Sequence, residues 1–260
     1  MVQALERVAQ NLRVLLQNLP SAPDLKGLRE ARSRLMDSYE HFLNSLRAVE
    51  PLTESALPAS LRPRNYVRNG FHVLNALTGV ALYQWVFDRH GCLLVLIAVL
   101  AVYATLDITR RLWPRWNEIL FDSVFKQITR PRERHQIPAA SWYALATFLV
   151  VLTSQQTTAQ LAVLVLGIGD PAASLVGRKW GRRKLWRRKS LVGTGAFAIA
   201  SFLAAAIFLT TLKALPWGRL LPMATVASVA GAAAEVVSDD RLDDNFTVPI
   251  TVAAALGLFT

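Results

Sequence analysis

Apolar runs alternate with short, charge-dense runs along this chain, and the length of the apolar runs sets the reading. From residue 66 onward there are seven such spans, near Tyr66–Phe87, Gly91–Leu106, Ala139–Ser154, Thr158–Gly177, Leu191–Leu212, Leu220–Val237 and Phe246–Thr260. A helix needs about 20 apolar residues to cross the hydrocarbon core of a bilayer. The pattern therefore predicts an all-α, polytopic membrane protein with about seven transmembrane helices. Residues 1–60 read differently. Val8, Leu12, Leu15, Leu16 and Leu19 recur at helical spacing, and after the Pro20–Pro23 break so do Leu25, Leu28, Leu35, Phe42, Leu43 and Leu46. These predict an N-terminal amphipathic helical hairpin over 1–60, ahead of a membrane domain over 61–260. The hairpin packs on that domain or on a second copy of the chain, as in a homodimer, or else lies on the membrane surface as a regulatory pair.

Seven spans divide the loops between two sides. The first side receives the N-terminal region, Thr109–Pro138, Arg178–Ser190 and Ser238–Asn245. All but three of the 29 basic residues fall there, the exceptions being Arg89, Lys213 and Arg219. The positive-inside rule makes that side, and the N-terminus, cytoplasmic. Composition agrees with a membrane chain, at 53% hydrophobic and mean hydropathy +0.30. The net charge of +11 does not point to nucleic acid, because the basic residues sit beside apolar spans rather than on a soluble domain. A single cysteine, Cys92, excludes an internal disulfide and a cysteine-based metal site, and the four histidines show no ligand spacing. Met1–Pro20 lacks a long apolar stretch, so no cleavable signal peptide is expected. With no transit peptide or sorting signal either, a bacterial cytoplasmic membrane is the expected host.

Four clusters carry candidate chemistry. The first is Gly167-Ile-Gly-Asp170-Pro-Ala-Ala-Ser174-Leu-Val-Gly177. An Asp in an apolar span costs about 2.5–3.5 kcal/mol on insertion scales, and such residues generally face a polar cavity. Gly167 and Gly169 are expected to loosen the helix, so that Asp170 caps a new half-helix with Pro171 in its first turn. That N-terminus would offer free N–H groups to an anion such as a phosphate; a capped kink without ligand is the plainer alternative. The second cluster is the loop from Arg178 to Lys189, where eight basic residues crowd together before Ser190, Gly193, Thr194 and Gly195. It reads either as an anchor on anionic lipid or as a phosphate clamp, with Lys189 and Ser190 opening the next helix. Arg188 stands where a P-loop needs Gly, so this is not that motif. The third runs from Glu235, in an apolar helix, through Asp239, Asp240, Asp243, Asp244 and Asn245. Asp239 and Asp240 read as solvated. Glu235, Asp244 and Asn245, which border or lie within the membrane, suit a Mg²⁺ held by one or two carboxylates and by nucleotide phosphates. The fourth is Arg68-Asn-Gly-Phe-His72 at the start of the first span, with Asp107, Arg110, Arg130 and Glu133 further on.

Together these residues resemble the membrane lipid-alcohol kinases, the family of dolichol kinases, phytol kinases and CTP-dependent diacylglycerol kinases. The resemblance rests on Gly169-Asp170-Pro171-Ala172-Ala173-Ser174 with Gly177-Arg178-Lys179, on Lys189-Ser190 with Gly193-Thr194, on Asp244-Asn245-Phe-Thr-Val-Pro249, and on Arg68-x-x-x-His72. It covers roughly 64–258 and leaves the 1–60 helices outside. It implies phosphoryl transfer from a nucleotide, CTP or ATP, to a lipid hydroxyl with Mg²⁺ as cofactor. Arg68, Asp170 and Gly177 match the family's essential positions. On this basis Asp170, Arg68 and Lys189 are expected to be catalytic. Gly169, Ser174, Gly177, Arg178, Lys179, Ser190, Gly193, Thr194 and Asn245 are expected at the nucleotide, and Asp170, Glu235 and Asp244 at the metal. His72 and Glu133 are expected toward the lipid. The family often carries Lys directly after the Arg, where this chain has Asn69, and Lys179 or Lys189 is available to supply that charge. A CTP:lipid-phosphate cytidylyltransferase, a transporter with a broken helix and a non-catalytic scaffold are the competing readings.

Overall fold

The structure is a computed structural model, and it describes residues 66–113, 115–116, 137–181, 183–186, 189–238 and 243–258. The expected hairpin over 1–60 lies outside the described residues, as do Arg130, Glu133, Asp239 and Asp240. The described chain forms helices α1 (Tyr66–Trp85), α2 (Arg89–Leu112), α3 (Ala139–Thr153) and α4 (Gln156–Trp180). A short ribbon follows, β1 (Lys184–Trp186) and β2 (Lys189–Ser190), and then α5 (Leu191–Thr211), α6 (Trp217–Val237) and α7 (Asp244–Gly257).

Helix starts follow capping chemistry. Asp88, Ser190 and Asp243 each turn a side-chain oxygen back onto an orphan N–H of the first turn, at 2.7 Å for Gly91, 3.1 Å for Gly193 and 2.9 Å for Asn245. Four helices, α2, α4, α5 and α6, are long and apolar enough to cross a membrane. The expectation of seven crossings is thus met in part. Helices α3 and α7, with 15 and 14 residues, extend only about 22 and 21 Å at 1.5 Å per residue, and the hydrocarbon core is about 30 Å thick. Helix α1 has the length, yet Arg68, Asn69, His72, Asn75 and Gln84 make it more polar.

Helix α4 is the axis of the bundle. It packs against α1, α3, α5, α6 and α7, and its apolar window is 67% buried. Leu161, Val165 and Leu166 on α4, with Phe197 on α5, are fully enclosed. Helix α2 is the opposite case: its apolar window is 0% buried, so Leu94, Ile97, Val102 and Ile108 remain as an exposed apolar surface.

Helix ends gather at two poles. At one, Gln156 Nε2 donates to the Tyr83 carbonyl at 2.5 Å, Gln160 Nε2 to Gln84 Oε1 at 3.1 Å, and Lys213 Nζ to the same Gln84 oxygen at 2.7 Å. The other pole carries Lys189, Ser190, Glu235 and Asp244.

One local expectation fails, for a physical reason. Helix α4 runs unbroken from Gln156 to Trp180 with Pro171 inside it. Asp170 therefore caps nothing, and no half-helix N-terminus forms there. The glycines serve packing instead of flexibility. A Cβ on Gly167 would stand 2.1 Å from the Ala76 Cβ, and one on Gly169 would stand 2.6 Å from both Phe197 Cζ and Ser201 Oγ. Glycine is what lets α1 and α5 lie directly against the α4 backbone. The basic loop carries a short ribbon that the apolar pattern does not predict. Lys184 pairs with Ser190 and Trp186 with Lys189 in an antiparallel ribbon, a small β element in an otherwise helical fold.

Candidate functional site

The site is built where the C-terminal part of α4, the ribbon, and the near ends of α6 and α7 meet. Glu235 lies two residues before the end of α6, on an apolar helix that buries it to 3% exposure. Asp244 is the first residue of α7 and is also buried. Lys189, in β2, reaches between them: its Nζ is 2.5 Å from Glu235 Oε1 and 3.6 Å from Asp244 Oδ2. Asp170, about three turns before the end of α4, lies within electrostatic range of both Lys189 and Glu235. Burial on its own would lower the Lys189 pKa. The carboxylates of Asp244, Glu235 and Asp170 outweigh it and hold the value above that of a free lysine. The ammonium is therefore charged at neutral pH.

Several polar atoms here have no hydrogen-bond partner among the described residues. They are Glu235 Oε2, Asn245 Oδ1, Thr194 Oγ1 and Asn69 Nδ2, all buried. Asp170 likewise makes no hydrogen bond or ion pair among the described residues. Buried polar groups are ordinarily satisfied, so several left open at the end that carries the Lys189 ion pair suit a polar ligand there; one further such atom, Gln160 Oε1, lies at the opposite pole. The chemistry of the site suits a hard cation and a polyphosphate: two carboxylates and an amide oxygen for the one, and the ammonium that now bridges the carboxylates for the other.

The remaining candidates are distributed as follows. Ser190 is the N-cap of α5, as expected of a residue opening that helix, and its hydroxyl is committed to Gly193 N. Gly177 and Gly193 were expected to admit a ligand; they admit each other. A Cβ on Gly193 would stand 3.2 Å from the Gly177 Cα and 3.2 Å from the Ala173 carbonyl. Arg178 turns back on its own helix, donating to the Ser174 carbonyl and to Ser174 Oγ, each at 3.1 Å. Lys179 is exposed and sits over the Trp180 ring at 4.5 Å, so it does not enter the Lys189 cluster. Gly169 packs on Phe197 and Ser201. The expected metal trio of Asp170, Glu235 and Asp244 is not preformed. Among the described residues no three His, Cys, Asp or Glu side chains converge closely enough to hold an ion, and Lys189 stands between two of the three.

Arg68 and Asn69 are buried on α1. The Ala76 Cβ and the His72 carbonyl lie against Gly167, which fixes the register of the antiparallel α1 and α4. Continued toward the site, that register brings Arg68 and Asn69 to the level of the Asp170–Ser174 turn. His72, half-buried, sits one turn below them. Asp107, Arg110 and Arg111 form a local ion-pair group on α2, with Arg110 Nε donating to Asp107 Oδ1 at 2.7 Å.

Sequence reasoning missed the Lys189–Glu235–Asp244 bridge. The charges are opposite in sign, but 46 residues separate Lys189 from Glu235, and no local spacing links them.

Comparison with known proteins finds similarity along the chain. The chain is 30% identical over 161 residues to CTP-dependent diacylglycerol kinase 1 of Schizosaccharomyces pombe, covering 58% of this chain and 73% of that protein. It is 26% identical over 226 residues to a probable chloroplastic phytol kinase of Triticum aestivum, covering 82% of this chain and 73% of that protein. It is 29% identical over 119 residues to dolichol kinase of Saccharomyces cerevisiae, covering 44% of this chain and 22% of that protein. No family model matches the chain, and no solved structure matches it.

Proposed function

The chain belongs to the membrane lipid-alcohol kinase family, and from that premise we propose that it transfers a phosphoryl group from CTP to the hydroxyl of a lipid alcohol at the Lys189–Glu235–Asp244 pole. The observation that carries this reading is the bridged, under-satisfied cluster: an ammonium between two buried carboxylates, with Asp170 and the free acceptors of Glu235 and Asn245 beside it. The four long apolar helices make the chain an integral membrane protein. The charge bias along the sequence favours a cytoplasmic position for this pole. A lipid alcohol holds its hydroxyl at headgroup level and a nucleotide arrives from water, so the two meet only at such a pole. The catalytic unit is the 61–260 region.

The chemistry follows from positioning and charge. Lys189 and Arg68 hold the nucleotide phosphates. Thr194 donates its hydroxyl to the nucleotide. Asp170, whose carboxylate has no other hydrogen bond among the described residues, accepts a hydrogen bond from the lipid hydroxyl and aligns its oxygen with the γ-phosphorus. A new O–P bond forms as the bond to the β-phosphate oxygen breaks, CDP leaves, and the hydroxyl proton passes to the Asp170 carboxylate. Mg²⁺, for which Glu235, Asp244 and the Asn245 oxygen are the fitting ligands, would offset the phosphate charge. His72, one turn from Asn69, borders the lipid side.

The test is direct. The purified protein is incubated with CTP or ATP and with diacylglycerol, phytol, dolichol and shorter polyprenols, and the products are identified by mass. A lipid that gains one phosphate, with release of CDP, supports the reading. A CDP-lipid, or no product from any pair, overturns it. Asp170→Asn is expected to fold and to lose turnover by about a hundredfold or more.

A further inference from the structure

The Lys189 ammonium occupies a place that matters only if something else comes to occupy it. A buried ion pair is costly to desolvate, and removing one partner strands a charge at several kcal/mol. Glu235 is 3% exposed, so its charge needs a cation at all times. Lys189 supplies one through Oε1, yet Oε2 of the same carboxylate is buried with no partner among the described residues. Asn245, 1% exposed, also has its Oδ1 unpartnered, while its Nδ2 donates to Asp244 Oδ1 at 3.2 Å. One ammonium thus answers two buried carboxylates and leaves a second oxygen of Glu235, and the neighbouring amide oxygen of Asn245, unanswered.

From this we propose that Lys189 is a placeholder cation: in the free protein it neutralises Glu235 and Asp244, and it leaves them for the nucleotide phosphates when a divalent cation takes its place. This rests on the kinase reading for the identity of the arriving pair. The exchange keeps every buried charge matched. A divalent cation arriving alone would meet carboxylates already neutralised and would expel an ammonium with nowhere to go. A polyphosphate arriving alone would add negative charge beside Asp170, Glu235 and Asp244. Arriving together, the metal takes the carboxylates and the phosphates take the lysine. The consequence is strong mutual dependence of metal and nucleotide binding.

Lys189 is also the residue in β2 that immediately precedes the α5 N-cap. Its swing is therefore transmitted to the ribbon while Ser190 keeps α5 capped.

The experiment measures Mn²⁺ binding to the purified full chain by electron paramagnetic resonance, without nucleotide. Wild type is expected to bind Mn²⁺ weakly. Lys189→Met, which clears the place, is expected to bind it at least tenfold more tightly, and Lys189→Arg, which keeps a cation there, to match wild type. Equal Mn²⁺ affinity in wild type and Lys189→Met overturns the proposal. Should Lys189→Met fail to fold, Glu235→Gln decides instead. It is expected to lose at least tenfold in Mn²⁺ affinity in the presence of a non-hydrolysable CTP analogue, and unchanged affinity overturns the proposal. Tight Mn²⁺ uptake by Lys189→Met, together with a wild-type protein that phosphorylates no lipid, would sink the kinase reading and leave the placeholder standing.

Discussion

Gly167 offers the sharpest test of how Asp170 is held. If α4 is a continuous, tightly packed axis, as the structure has it, a methyl group at position 167 must collide with α1. The Cβ would stand 2.1 Å from the Ala76 Cβ and 3.3 Å from the His72 carbonyl oxygen, where unstrained carbon contacts lie at about 3.5–4.0 Å. Both obstructing atoms are fixed to helix backbone, so no rotamer change relieves the clash and the helices must separate. Overpacking of this kind costs about 3 kcal/mol at the upper end of its usual range. Against it stands the helix-propensity gain of Gly→Ala, about 1 kcal/mol. Gly167→Ala is therefore expected to lose about 2 kcal/mol, and Ala76→Gly about 1 kcal/mol from propensity alone. In the double variant the 2.1 Å contact is gone, the 3.3 Å approach to the His72 carbonyl asks for a shift of only a few tenths of an ångström, and the two propensity changes cancel, so it should return to within about 0.5 kcal/mol of wild type. The coupling energy is then about 3 kcal/mol, well beyond the range of independent sites. Denaturant titration of helicity in mixed micelles measures all four proteins, and lipid phosphorylation should fall and recover in the same order. A hinge at Gly167 predicts the opposite, with Gly167→Ala neutral or stabilising and Ala76→Gly unable to rescue it. Either that result or simple additivity would refute the packing argument.

Ser190→Ala removes the α5 N-cap and should cost about 1 kcal/mol, read as a lowered Tm in detergent, with Ser190→Asp restoring most of it. Thr194→Val removes a buried hydroxyl that has no partner among the described residues. It should leave stability unchanged or slightly raised while weakening nucleotide binding about tenfold, seen as a rise in KM for CTP. The Lys189 ion pair also has a pH signature. Its folded pKa is raised by Asp244, Glu235 and Asp170 against the lowering effect of burial. The stability it contributes is therefore fully present below the unfolded lysine value of about 10.4 and is lost as pH rises through the higher folded value. The Tm difference between wild type and Lys189→Met should be constant from about pH 7 to 9 and shrink above about 10.5; a difference that is flat throughout would contradict the bridge.

The sequence made the helices legible and their partnerships mostly not. Apolar run length found α1, α2, α3, α4, α5, α6 and α7, because the need to satisfy backbone groups in an apolar medium acts on contiguous residues. Four of the seven are long and apolar enough to cross a membrane; run length alone does not separate an exposed apolar helix such as α2 from a short one sheltered by neighbours such as α7. The glycines show where local reasoning stops. In sequence, Gly167 and Gly169 beside Asp170 and Pro171 look like a hinge. In space, Ala76, Phe197 and Ser201 fill the room that a side chain would need, and tertiary contact decides the backbone. Pro171 removes one N–H, a loss limited to a single helical bond that does not break a helix enclosed on most sides. The same logic governs the site. Asp170, Lys189, Glu235 and Asp244 could each be picked out as a charge too costly to bury without a reason. That the lysine answers two of the carboxylates is a fact of helix packing, carried by the Gly177–Gly193 contact that draws α4 and α5 together and by the ribbon that turns Lys189 toward α6. A residue's type says that it must be paired, and only the fold says with what. The binding measurements on Lys189 and Glu235 therefore probe the packing of four elements as much as the charge of two residues.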